Sequence, residues 1–280
     1  MSIFEDRKRR YDHLKGTIHK QFATGFRQKL SDDIVIIFSP SAKLALYKYE
    51  FNADSLHLSD LALQYYLRGA GNQSKIIGSF IAGCGYKRAV FLGSSKGAFA
   101  SLLWSSLINS RRPPFDIRGL AFSPQARLYP HNDALDILPS YHDLLRKARL
   151  DYKIMASLDQ YGDIASAIGD SHPETHIYYS AKNKMDSHEV AGIAGMARIK
   201  LFPVNISFHG AVSAFITDTR DQAQLQRLAE KIYRSAETDA DLRAQLPIDR
   251  GEFIADFVDC AGGDLNAALD ALFADASPQK

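Results

Sequence analysis

The stretch FLGSSKGAF, Phe91 to Phe99, follows the apolar pair Ala89-Val90 and precedes a segment whose apolar residues Phe99, Leu102, Leu103 and Leu107 recur at helical spacing. A buried strand therefore ends near Leu92 and a helix begins near Lys96, with two glycines and two serines in the turn between them. Gly93-Ser94-Ser95-Lys96-Gly97 fits the pattern G-x-S-x-G with Ser95 at its centre. The glycines suit a turn so sharp that strand and helix approach closely and the central residue takes a strained backbone. Its hydroxyl then projects from the sheet edge, and the N–H of Lys96 points where an oxyanion would develop. An ordinary tight turn also fits. A phosphate-cradling loop does not, because Lys96 precedes its glycine instead of following it. Gly83-Cys84-Gly85 precedes a strand and lacks the third glycine of a dinucleotide fingerprint.

Working outward, short apolar runs alternate with helical patterns. Strands are expected at 34–38, 88–92, 117–123, 175–180 and 198–204, with a weaker pair at 44–49 and 55–58. Helices are expected at 72–83, 96–110 and 187–196. This alternation implies an α/β fold, a doubly wound, mostly parallel sheet with its functional loops at the carboxyl ends of the strands. The rhythm breaks at 124–173, where a helical pattern at 140–149 suggests a lid over the strand ends. It breaks again at 218–280, where amphipathic helices separated by Pro247 and Gly262-Gly263 form a C-terminal extension. The expected organisation is a basic helical segment at 1–30, a core at 31–217 and the extension.

A serine nucleophile needs a base and an orienting acid. Asp186 falls in the loop after the 175–180 strand and His209 in the loop after the 198–204 strand, so that Ser95, Asp186 and His209 meet at one sheet edge. Asp186 also suits a helix cap near Ser187, and His188 is a rival base, although it falls inside the acid's own helix. The second oxyanion donor is expected after the first strong strand, from Ser39 or Ser41, since Pro40 has no N–H. The stretches 58–69 and 123–129 fall near strand ends as candidate pocket walls, with Tyr65 and Tyr66 read as packing or rim residues. Lys96 leaves two readings: attraction of an anionic substrate, or a charge reaching solvent.

The markers AVFLGSSKGAFASLL, GLAFSPQ, IYYSAKNKMDSHE and FHGAV together resemble an α/β-hydrolase-fold protein over about Ile34 to Phe215. The resemblance implies a catalytic triad of Ser95, His209 and Asp186, and an esterase-type serine hydrolase acting on a small-molecule or saccharide ester through an acyl-enzyme. It departs from the family pattern at Lys96, where an uncharged residue is common. The alternatives are acyl transfer by the same triad and a non-catalytic interaction protein that keeps the fold.

Composition narrows the partners. With 46% hydrophobic residues and a net charge of +2, the chain suits an ordinary folded protein and has no basic stripe for nucleic acid. Residues 1–30 carry eight Lys/Arg against three Asp/Glu, including Arg7-Lys8-Arg9-Arg10, and residues 218–280 carry seven against thirteen. Both ends read as solvated helix faces, the features that a protein partner or a homo-oligomer would use. Cys84 and Cys260 have no metal-like spacing, and Pro173 separates His172 from His176, so neither a metal nor an organic cofactor is expected. No signal peptide or membrane span is read, and a cytoplasmic location is expected.

Overall fold

The computed structural model describes residues 2–217, 219–246 and 249–274. In chain order, α1 (Ile3–Thr17) leads to β1 (Phe22–Arg27), β2 (Asp33–Phe38) and β3 (Asp54–Asp60), then α2 (Ala70–Gly83), β4 (Arg88–Ser94), α3 (Lys96–Asn109) and β5 (Asp116–Phe122). Next come α4 (Pro139–Leu150), α5 (Tyr152–Tyr161), α6 (Ile164–Ile168), β6 (Glu174–Ser180), α7 (Lys184–Ala191) and β7 (Ile199–Val204). The chain continues through α8 (Gln222–Thr238), α9 (Ala240–Arg243), α10 (Arg250–Cys260) and α11 (Leu265–Ala274). The strands form one seven-stranded sheet in the order β1-β3-β2-β4-β5-β6-β7, parallel except for β1. Among the described residues no helix is long and apolar enough to cross a membrane.

Strand periodicity decides where the core sits. Successive side chains of β2 point to opposite faces, and both faces are buried, which is why its run is apolar without alternation. Ile34, Ile36 and Phe38 join Phe91 and Leu56 in a core shared with α1 to α6, centred on Phe99 and Trp104. Val35 and Ile37 join Val90, Leu92, Leu120 and Phe122 in a second core, closed by Leu225, Phe253, Phe257 and Leu269 of α8, α10 and α11. The acidic C-terminal helices are thus the second layer of the sheet. Pro247, expected as a break between them, lies outside the described residues.

Three elements differ from expectation. Phe22–Arg27, placed with the N-terminal helical segment, is the antiparallel edge strand β1, and its Gly25 lies so close to Tyr47 that an added Cβ would stand 2.6 Å from the ring. The 44–49 run is no strand: Leu46 has φ 54° and Tyr49 N–H donates to Leu46 O across a turn. Both edges of β2 and of β3 are already taken, so the run has no place beside the two strands that flank it in sequence. The expected 187–196 helix begins earlier, as α7, because Asn183 caps it through the N–H groups of Met185 and Asp186.

The basic run at the N-terminus is not wholly a solvated face. Arg7 is buried and pairs with buried Asp54 at 3.1 Å, while its Nε donates to Cys84 O. Asp54 also accepts the Tyr86 hydroxyl at 2.6 Å and the N–H of Lys29 and Ser31, so the buried charge is fully paired. This network pins α1 beneath the amino ends of the strands, opposite the edge where the chemistry gathers.

Candidate active site

Ser95 stands alone between β4 and α3 with φ 55° and ψ −121°, a conformation that is costly for a residue bearing a Cβ. The glycines on either side make it attainable. A Cβ on Gly93 would lie 2.0 Å from Gly97 O, and one on Gly97 would lie 2.1 Å from Phe38 O. The turn is pinned by Ser95 N–H donating to Phe122 O and by Ala98 N–H donating to Ser95 O, both at 2.9 Å. Although Ser95 occupies the N-cap position of α3, its hydroxyl makes no capping bond and is left for other work. The amides of Lys96 and Gly97 lie in the first helical turn, where no intrahelical acceptor exists.

Asp186 lies in the first turn of α7 and is buried, with Oδ2 accepting Ser180 N–H at 3.2 Å and Oδ1 2.6 Å from His209 Nδ1. The cap expected of Asp186 belongs to Asn183 instead. A carboxylate only accepts, so His209 donates to it from Nδ1, and Nε2 is the ring nitrogen left over. That Nε2 is buried and has no hydrogen-bond partner. Ser95 and His209 line one cavity of about 310 Å³ at the carboxyl ends of the strands. His188 lines a separate cavity with Arg127 and Glu189, away from Ser95.

Gln125, from the loop after β5, donates through Nε2 to Ser95 Oγ at 3.1 Å, and its Oε1 is buried without a partner. Sequence reasoning placed the stretch 123–129 near a strand end but did not single out this residue. The available signal was a polar side chain two residues past a strand end, beside the strand that carries the serine.

Three expectations about the surroundings change. The N–H of Ser39 is spent on Leu58 O at 2.9 Å and its hydroxyl accepts Ala45 N–H, so Ser39 has no backbone donor to offer an oxyanion. Ser41 remains, exposed and in the cavity wall. Lys96 neither reaches solvent nor stands free for an anion: its Nζ lies 2.5 Å from Asp241 Oδ2, and the two side chains are 12% and 15% exposed. Burial pushes the Asp241 carboxyl up, but Lys96 and the Ser140 hydrogen bonds outweigh it and hold the group below its usual range. Finally, no residue of 124–173 lines the cavity, so that segment is not its lid; α8, α9 and α10 form the wall opposite the strand ends.

Tyr65 and Tyr66 are buried, as expected of packing residues, and the Tyr66 hydroxyl reaches the carbonyls of Ser39 and Leu58 at 2.9 Å. His172 Nδ1 lies 3.1 Å from Pro173 O, and the His176 ring packs on Phe202 at 4.9 Å. Among the described residues one group, His131, Asp133 and Asp136, brings potential metal-ligand atoms within 4.8 Å of one another. All three residues are exposed and none lines the Ser95 cavity.

A parallel sheet with an antiparallel first strand, a strained serine after the central β4, and acid- and histidine-bearing loops after β6 and β7 make this an α/β-hydrolase fold. No family model matches the chain and no curated protein is similar to it in sequence. Among solved structures, the chain is similar to a lipase-esterase related protein from Clostridium acetobutylicum, at 12% identity and a TM-score of 0.46, over 76% of this chain and 99% of that one. It is also similar to an esterase from Pyrobaculum calidifontis, at 11% identity and a TM-score of 0.46, over 76% and 87%. A third is a hydrolase from Oleispira antarctica, at 10% identity and a TM-score of 0.43, over 68% and 89%.

Proposed function

We propose that the protein is a serine hydrolase that cleaves a carboxylic ester through Ser95, His209 and Asp186. The observation that carries this reading is the buried His209, with Nδ1 held by Asp186 and Nε2 unpartnered, in the wall of the same cavity as the strained Ser95. An imidazole held in one tautomer by a carboxylate is a general base aimed by its own hydrogen bond. A buried polar atom without a partner is costly unless a partner arrives, and the hydroxyl proton of Ser95 is the partner that this chemistry supplies.

In the first half-reaction Nε2 takes the Ser95 proton while Oγ bonds to the ester carbonyl carbon. The Lys96 N–H stabilises the oxyanion, with Ser41 the remaining candidate for a second donor. Collapse breaks the bond to the alcohol oxygen, which leaves with the proton from His209. Water then repeats the sequence: Nε2 takes its proton, the hydroxide oxygen bonds to the acyl carbon, and Ser95 departs with the proton returned. Asp186 stabilises the imidazolium in both halves.

A fluorophosphonate probe tests the assignment, because it needs an activated serine and no knowledge of the substrate. Wild type is expected to label stoichiometrically, Ser95→Ala not at all, and His209→Ala at a rate about a thousandfold or more lower. Labelling that persists in Ser95→Ala, or a folded wild type that does not label, overturns the assignment and favours a non-catalytic role for the fold.

A further inference from the structure

We infer that the cavity over Ser95 is a pocket for a neutral, aliphatic acyl chain of medium length, walled by the C-terminal helices, and that anionic esters are excluded from it; this rests on the serine-esterase reading above. Two independent features carry it. The first is the lining. Phe208 and Val212 from the histidine loop line the cavity together with Ile232 of α8, Leu242 of α9, Leu246 from the loop after α9 and Phe253 of α10, so the wall is mostly hydrocarbon, with Ser213 and Gln245 among its polar members. Burying a chain there is favoured at about 25 cal/mol per Å² of apolar surface. At about 30 Å³ for a water-sized group, a cavity of about 310 Å³ holds on the order of ten heavy atoms. An ester group with an acyl chain of roughly six to eight carbons fills that space.

The second feature is charge. The cation nearest the nucleophile, Lys96, is neutralised by Asp241, and the carboxylate of Asp239 also borders the cavity. Lys96, Asp239 and Asp241, the lysine and carboxylates of the lining, sum to one net negative charge, so a carboxylate or phosphate on the substrate meets repulsion and no unpaired lysine or arginine. The ion pair also fixes the wall in place. It ties the first residue of the nucleophile's helix to α9, and Asp241 Oδ1 accepts Ser140 N–H at the start of α4. The pocket is thereby held against the strand-turn-helix elbow that carries Ser95, instead of swinging as a separate lid.

The test uses the full chain and p-nitrophenyl esters of two, four, six, eight, twelve and sixteen carbons, with a monosuccinyl ester as the charged comparison. The expected kcat/KM peaks at six to eight carbons and is at least about tenfold lower for the succinyl ester than for the neutral ester of equal length. Leu246→Trp, which fills the wall, moves the optimum to two to four carbons, and Asp241→Asn, which leaves the Lys96 charge unpaired, narrows the succinyl penalty about threefold or more. Binding to Ser95→Ala, read as thermal upshift by methyl octanoate against monomethyl succinate, follows the same preference without any turnover. A flat chain-length profile, a preference for the succinyl ester, or no upshift by methyl octanoate overturns the pocket. Fluorophosphonate labelling of Ser95 separates the two failures: a labelled enzyme with a flat profile loses only the pocket, whereas an unlabelled one loses the esterase reading as well.

Discussion

At the scale of single residues, the chemistry depends on which partner holds each reactive atom. Ser95 Oγ accepts from Gln125 Nε2, so the serine's own proton is not spent on that bond. A neutral hydrogen bond of this kind is worth about 1 kcal/mol. Gln125→Ala is therefore expected to slow phosphonylation of Ser95 about fivefold. Gln125→Glu should slow it further at pH 7, because a carboxylate accepts the serine proton and competes with His209. Equal rates for the Ala and Glu variants would show that Gln125 only fills space. Gly93 and Gly97 are constrained differently: backbone oxygens stand where their Cβ atoms would go, and no rotamer relieves that contact.

At the scale of elements, β3 shows how a strand with polar residues is buried. Its seven residues are all buried, including His57, whose Nδ1 lies 2.9 Å from Ala45 O and whose Nε2 lies 3.1 Å from Ser55 Oγ. Burial, with a smaller contribution from Arg27, pushes the His57 pKa down to about 4 from its usual value of 6.5. The folded protein therefore keeps the ring neutral over an interval in which the unfolded chain takes up a proton. Stability is full above pH 6.5 and is lost as pH falls toward 4, by on the order of 2–3 kcal/mol for this one group. Urea unfolding at pH 7 and pH 4.5 is expected to show the loss, and His57→Gln, which cannot take up that proton, should lose less across the same interval. An equal loss in both proteins would assign the acid sensitivity to other groups.

At the scale of the whole molecule, the sheet is covered by two layers of unlike origin. The elements from α1 to α6 close one face, and α8, α10 and α11 close the other. Cutting the chain after Thr219 would expose Val35, Ile37, Val90, Leu92, Leu120 and Phe122, each of which contributes roughly 1.5–3 kcal/mol by burial. Their sum is comparable to the whole net stability of a typical domain, about 5–15 kcal/mol. The shortened chain is expected to be insoluble, or to bind a hydrophobic dye and unfold without cooperativity. A soluble, cooperatively folded product that still labels at Ser95 would show that the C-terminal helices are dispensable.

The strands and the elbow were legible in the sequence because their causes are local. An apolar run buried on both faces, a glycine on each side of a serine, and a switch from strand to helix spacing all fall within a few residues of one another. The order Ser95, Asp186, His209 was legible because each residue follows a readable strand. What lay beyond reach depends on contacts between distant segments. Phe22–Arg27 is a strand only because β3 offers it an edge, and 44–49 finds no place beside β2 or β3 because both edges of each are taken. Ser39 is excluded as a donor because Leu58 O takes its N–H, and Gln125 is drawn in by a hydrogen bond to a serine 30 positions earlier. Lys96, the most ambiguous residue of the opening turn, is answered by Asp241, 145 positions away. Local pattern thus determined the parallel strands, the elbow and the order of candidate catalytic residues. The tertiary structure alone decided the donors, the charge and the wall of the pocket, because those depend on which distant groups a folded chain brings within a few ångströms.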